Sequence, residues 1–84
     1  MASTILIRNL PDDIAEETLR QAIGEYLPVT KLEILDDPNP KTSDKQAVIH
    51  ADIPTFEAET FARRFNGRII QGREVTVVAM LFMG

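Results

Sequence analysis

Cysteine is absent from this chain of 84 residues, and no apolar run approaches the length of a membrane-spanning helix. The missing thiol excludes disulfides, zinc–thiolate sites and thiol chemistry. A spanning helix needs roughly 20 consecutive apolar residues, so we predict no membrane partner. The first residues also lack the basic stretch that opens a signal peptide. We therefore expect a soluble protein of the cytoplasm or nucleus, or a domain cut from a longer soluble protein.

A net positive charge is also lacking, since the formal net charge is −4. A chain of this charge is repelled by phosphate at long range, which disfavours nucleic acid as a partner. The charges are unevenly placed, however. Residues 1–59 hold twelve acidic against five basic side chains, whereas residues 60–84 hold four arginines against Glu74 alone. A local basic patch is therefore possible on an acidic molecule.

The chain has room for one domain, which we expect to span residues 1–84. Its content of 44% apolar and 26% charged residues is ordinary for a globular protein. The apolar spacing predicts four strands, at 4–8, 29–35, 45–51 and 75–80, and two helices, at 14–27 and 56–65. Asp13, with Glu16 three residues later, is a predicted cap of the first helix, and Asn66-Gly67 ends the second.

The predicted order β-α-β-β-α-β indicates an α+β fold of the ferredoxin-like, split βαβ type. In this sandwich, four antiparallel strands carry both helices on one face and leave the other face of the sheet open. The fold alone does not assign a function, because metal chaperones, acylphosphatases, small-molecule sensors and RNA binders share it.

Four segments resemble motifs of the RNA recognition motif (RRM) family. Segment 5–11 (ILIRNLP) is similar to the first-strand hexamer with its Asn-Leu-Pro exit, and segment 16–20 (EETLR) to the opening of the first helix. Segments 65–67 (FNG) and 70–77 (IQGREVTV) resemble the end of the second helix and the fourth strand. The spacing between the segments agrees with the family, and the resemblance covers nearly the whole chain.

The resemblance fails at the aromatic residues with which RRM domains stack RNA bases. The third-strand octamer of the family falls on residues 44–51, where Gln46 and Val48 occupy the stacking positions. Leu6 occupies the stacking position of the first strand. Because each stacked base is worth about 1–3 kcal/mol, an atypical member without these rings is expected to bind single-stranded RNA weakly.

The alternation of side chains along the strands predicts which residues form the open face of the sheet. The twelve predicted residues are Thr4, Leu6, Arg8, Lys31, Glu33, Leu35, Gln46, Val48, His50, Thr76, Val78 and Met80. The middle of this face is aliphatic, and an exposed aliphatic patch more often marks a contact with protein. The apolar C-terminal segment that contains Phe82 is expected to fold back across it.

Two functions from different classes remain open for this face. The first is an RNA-binding module, with the contacts supplied by Leu6, Arg8, Lys31, Lys45, Gln46, Val48 and His50. The second is a contact with a protein partner or a weak homodimer, through Leu6, Leu35, Val48, Val78, Met80 and Phe82. Each polar residue also has a simpler interpretation as a solvated side chain, and Glu33 and Asp44 lie beside the two lysines.

The remaining charged and aromatic residues are expected to serve the fold. Arg63 and Arg64 are predicted on the solvent side of the second helix, whereas Phe56, Phe61 and Phe65 are predicted in the core, with Tyr26 in or near it. A lone histidine without cysteine is a poor metal ligand. No catalytic set or phosphate-binding loop can be assembled from the sequence, so we expect neither an enzyme nor a cofactor.

Overall fold

The computed structural model describes residues 3–36 and 45–80, which form eight elements. Their order is β1 (Ser3–Leu10), α1 (Glu16–Gly24), β2 (Val29–Asp36), β3 (Lys45–Ala51), α2 (Thr55–Phe65), β4 (Ile69–Ile70), β5 (Arg73–Glu74) and β6 (Thr76–Met80). The strands β2, β3, β1 and β6, in that spatial order, form an antiparallel sheet. The predicted fold class is confirmed, with β4 and β5 as an additional small hairpin.

The core lies between the sheet and the two helices. Alternate residues of β1 and β3, among them Ile5, Ile7, Ala47 and Ile49, are fully buried there. Leu19 and Ile23 of α1 are four residues apart and therefore pack from one face of the helix. No helix in the described ranges is long and apolar enough to cross a membrane.

The first helix is shorter than predicted, and Asp13 does not cap it. Ala15 occupies the capping position with an extended backbone and makes no side-chain capping bond. Asp13 lies in a turn that the backbone N–H of Ile14 closes by donating to the carbonyl of Pro11. This turn contains Asp13, the predicted cap, and Ile14, the predicted first residue of the helix, so α1 begins only at Glu16. Beyond Gly24, Leu27 still donates to the carbonyl of Ile23.

Phe61 and Phe65 are buried as predicted, but the prediction for Phe56 is wrong, because its side chain is 67% exposed. Phe61 and Phe65 are four residues apart and lie on one stripe of α2. The five-residue step from Phe56 to Phe61 rotates the helix by about 140°, which turns Phe56 away from the core. Tyr26 is 54% exposed and lies against the core without entering it.

The segments that resemble RRM motifs hold the hairpin β4–β5 against β1. Asn9 has a φ of 66°, and its Nδ2 donates to the carbonyl of Glu74 at 2.7 Å. The guanidinium of Arg73 donates to Oδ1 of the same asparagine at 3.2 Å. Asn66 accepts the N–H of Val77 at 2.9 Å, which ties the end of α2 to β6. The hydrogen bonds of Asn9, Arg73 and Asn66 therefore join strands and helix of the scaffold, and they lie away from the middle of the open face.

We expect Asn9→Ala to lower the free energy of unfolding by about 2 kcal/mol. The change removes two hydrogen bonds. It also leaves alanine at a positive φ, where its β-carbon is strained and no side-chain polar contact compensates, as one does for asparagine. Asn9→Gly is the matched control, because glycine loses the same hydrogen bonds but adopts this φ without strain. Urea unfolding of both variants separates the two contributions. Equal losses in the two variants would mean that strain at this position is negligible.

Candidate nucleic-acid interface

The strand register places the open face in three rows across the sheet. The middle row runs from Glu33 through Val48 and Leu6 to Val78, each a direct partner of the next. One flanking row contains Lys31, His50, Thr4 and Met80. The other pairs Leu35 with Gln46 and Arg8 with Thr76. The twelve predicted residues therefore share one face, although Thr4 is buried rather than open.

The middle row is aliphatic at the positions where the family stacks bases. Leu6 and Val48 are direct cross-strand partners and are half-buried. Directly opposed side chains of a sheet have β-carbons about 4.5–5.5 Å apart, so these two form one continuous surface. Val78 extends it towards the edge and is 47% exposed. The surface can contact the flat face of a base by dispersion, but it offers no aromatic ring for stacking.

The flanking rows supply the polar groups of the face. His50 lies beside the middle row, with its Nδ1 3.3 Å from Oγ1 of Thr4. Gln46 is half-buried near the beginning of β3, whereas Arg8 of β1 is exposed. Amide, imidazole and guanidinium groups can hydrogen-bond the edges of bases or a phosphate. The polar groups therefore flank an aliphatic centre on both sides.

The two lysines are paired with carboxylates. Nζ of Lys31 lies 2.8 Å from Oε1 of Glu33. This hydrogen bond and the attraction between the charges raise the pKa of Lys31 and lower the pKa of Glu33. Lys31 therefore stays protonated, and its charge is offset by the neighbouring carboxylate.

Lys45 is the one predicted RNA contact that lies off the open face. In the alternation of β3 it shares the side of Ala47, and its side chain pairs with Asp36 across the strands. The hydrogen bond that Lys45 donates to the carboxylate of Asp36 raises the pKa of Lys45. The predicted neighbour Asp44 lies outside the described residues, as does Phe82. Six of the seven predicted RNA contacts are therefore brought together.

A second cluster, on the helical side, was not predicted as a site. The rings of Phe61 and Phe65 stack at 5.0 Å between centroids, and Tyr26 meets Phe65 edge-on at 6.1 Å. The guanidinium of Arg68 lies 4.6 Å from the centroid of Phe65 and 5.4 Å from that of Tyr26. The five-residue spacing of Phe56 from Phe61 was the signal in the sequence that an aromatic ring would be exposed here.

The RNA recognition motif model matches residues 5–76. The chain belongs to the RNA recognition motif family. It is accordingly an RNA-binding module, and the family is a non-enzymatic one. Within the described ranges, no group of three or more histidine, aspartate or glutamate side chains is placed to hold a metal ion.

Solved structures show the same fold as this RRM domain. The third RRM of Pes4 is 17% identical, with a TM-score of 0.76 over 96% of this chain and 94% of that one. The second RRM of the yeast poly(U)-binding protein Pub1 is 14% identical, with a TM-score of 0.73 over 98% of both chains. The Rna15 RRM with bound RNA (GU) is 21% identical, with a TM-score of 0.69 over 89% and 79%. A comparison with curated proteins finds no match.

Proposed function

We propose that the RRM domain binds single-stranded RNA weakly across the open face of its sheet. The observation that carries the proposal is the middle row, where the cross-strand pair Leu6–Val48 occupies two of the three stacking positions and is flanked by polar side chains. In this arrangement, bases lie on the aliphatic surface while Arg8, Gln46 and His50 contact base edges or phosphates. The Rna15 RRM with bound RNA (GU) and the second RRM of the poly(U)-binding protein Pub1, which share this fold, support this assignment.

The binding is weak for two physical reasons. Aliphatic side chains contribute dispersion to a base but lack the stacking worth about 1–3 kcal/mol per base. The net charge of −4 also opposes the approach of a phosphate backbone, and Lys31 is offset by Glu33. We place the domain inside the cell, in the cytoplasm or nucleus, because single-stranded RNA is found there.

Amide shifts of the ¹⁵N-labelled domain, titrated at low salt with random single-stranded RNA octamers, test the proposal. We expect shifts on β1 and β3. The dissociation constant of Gln46→Glu should be about fivefold larger, because the substitution places a negative charge beside the RNA. Gln71→Glu is the matched control, because it adds the same charge in an exposed turn outside the open face. Absence of shifts on β1 and β3 at about 1 mM RNA would exclude this site.

A contact with protein is the second candidate for the same face. It is favoured by the exposure of Val78 and by Met80, which is 37% exposed in the neighbouring row. We expect Val48→Asp to abolish any concentration-dependent rise of mass in sedimentation, since the substitution puts a charge into the aliphatic row. A wild-type mass that stays monomeric at every concentration would exclude a homodimer.

A further inference from the structure

A cavity of about 400 Å³ lies on the helical side, between α2 and the segment that follows α1. Its volume falls within the range of about 300–1,000 Å³ that is usual for small-ligand sites. The residues that carry its chemistry are Tyr26, Leu27, Phe56, Phe61, Arg64 and Arg68. None of them belongs to the open face of the sheet.

The cavity combines a buried apolar floor with exposed rings at its rim. Leu27, Phe61 and Phe65 are buried, so they form a floor already packed on the core. Tyr26 and Phe56 are more than half exposed, although aromatic side chains are usually among the most buried. Apart from the imidazole of His50, the open face has no ring at its twelve positions. Among the described residues, the exposed tyrosine and phenylalanine rings lie on the helical side.

Positive charge is concentrated at the same rim. Arg68 is held by stacking on the rings of Tyr26 and Phe65, and its Nη1 donates to the hydroxyl of Tyr26 at 3.3 Å. Arg64 is exposed and makes no ion pair within the described ranges. Glu57 is the one carboxylate among the described residues that line the cavity. The rim therefore carries two arginines against one acid, on a chain whose net charge is negative.

We propose that this cavity is a second site for single-stranded RNA and holds one nucleotide. The base lies against Phe56 and Tyr26, and the adjoining phosphate is bound by Arg64. Each nucleotide presents a flat π surface beside an anionic group, which matches an exposed ring and an exposed arginine at one rim. This inference rests on RNA binding as the function of the domain and adds a site that the sheet does not supply.

Two substitutions remove the two halves of the site. Phe56→Ala deletes an exposed ring and is expected to weaken RNA binding at the cavity by about tenfold. Arg64→Gln removes one phosphate contact and should reduce the slope of log K against log salt by about 0.7. Arg63→Gln is the matched control, because Arg63 is the neighbouring exposed arginine of α2 but lines a different depression, beside β6. It is expected to leave the slope unchanged.

The measurement is the amide-shift titration of the whole chain with random single-stranded RNA octamers, repeated at several salt concentrations. We expect a group of shifts around Tyr26, Phe56, Arg64 and Arg68 that saturates independently of the shifts on β1 and β3. Thermal unfolding followed by circular dichroism shows that each variant is folded. A loss of the shifts around the cavity in Phe56→Ala, with shifts on the sheet retained, supports the second site.

The outcomes separate this inference from the proposed function. Shifts on the sheet without shifts around the cavity would overturn the second site and leave the open face as the RNA site. Shifts around the cavity alone would support the second site and exclude the open face. Shifts at neither would overturn both.

An equal change of slope in Arg63→Gln and Arg64→Gln would show diffuse attraction and overturn the site. Saturation of the cavity by a glutamate-flanked tryptophan peptide, without RNA shifts there, would assign it to protein and overturn the inference.

Discussion

Replacing Leu6 with tyrosine and Val48 with phenylalanine in one variant is expected to raise the affinity of the domain for single-stranded RNA by about 100-fold. Two stacked bases, each worth about 1–3 kcal/mol, account for a gain of this order. The fold should tolerate the change, because both side chains are half-buried on the open face and neither belongs to the core. As direct cross-strand partners, the two rings would present adjacent surfaces to successive bases.

Fluorescence anisotropy with a labelled random single-stranded RNA octamer, at one fixed low salt concentration, measures this gain. Gln21→Tyr is the control, since it adds an exposed ring on α1 and should leave the affinity unchanged. The single variants Leu6→Tyr and Val48→Phe should each contribute about tenfold. An unchanged affinity in the double variant would mean that the two positions are inaccessible to RNA, and it would contradict the proposed sheet site.

The second large effect concerns stability. Substitution by alanine at two adjacent residues of β1 is expected to lower the free energy of unfolding by very different amounts. Ile5→Ala should lower the free energy of unfolding by about 3–4 kcal/mol, because the side chain is fully buried and leaves a cavity in the core. Leu6→Ala should cost about 1 kcal/mol, because Leu6 lies on the half-exposed opposite face. The contrast follows from the alternation of side chains along a strand.

Thermal and urea unfolding measure the two losses under identical conditions. A loss of 3–4 kcal/mol in a domain of this size corresponds to a fall of about 15–20 °C in Tm for Ile5→Ala. RNA binding by the folded fraction of Ile5→Ala should be retained, because the residue points away from the open face. Equal losses at the two positions would mean that both sides of the sheet are covered to the same extent.

The sheet and its open face could be predicted from the sequence because strands have a simple period. Alternation placed Ile5 inward and Leu6 outward, and the register confirms that Val48 lies directly beside Leu6. The turn at Gln71-Gly72 was also predictable. Its two central residues have φ values of 49° and 82°, and glycine adopts such values without strain.

The helical side could not be predicted to the same extent, because helix boundaries and helical phase decide which rings are exposed. A cap assigned to Asp13 placed the start of α1 too early, whereas the chain makes a turn there. Phe56 was grouped with Phe61 and Phe65 as apolar, although the five-residue step turns it outward. The cavity beside Tyr26 depends on contacts between α2 and the segment after α1, which no local pattern encodes.

The order of the strands has a further consequence, for how the protein behaves when it is concentrated. Strands β2 and β6 are the two outer strands of the four-stranded sheet. The outer strand β2 carries charged side chains at Lys31 and Glu33, and such charges discourage edge-to-edge aggregation between sheets. Strand β6 (Thr76–Met80) has no charged residue. The two edges are therefore unequally protected, and misassembly through added strands would begin at β6, where a single lysine substitution offers the simplest remedy.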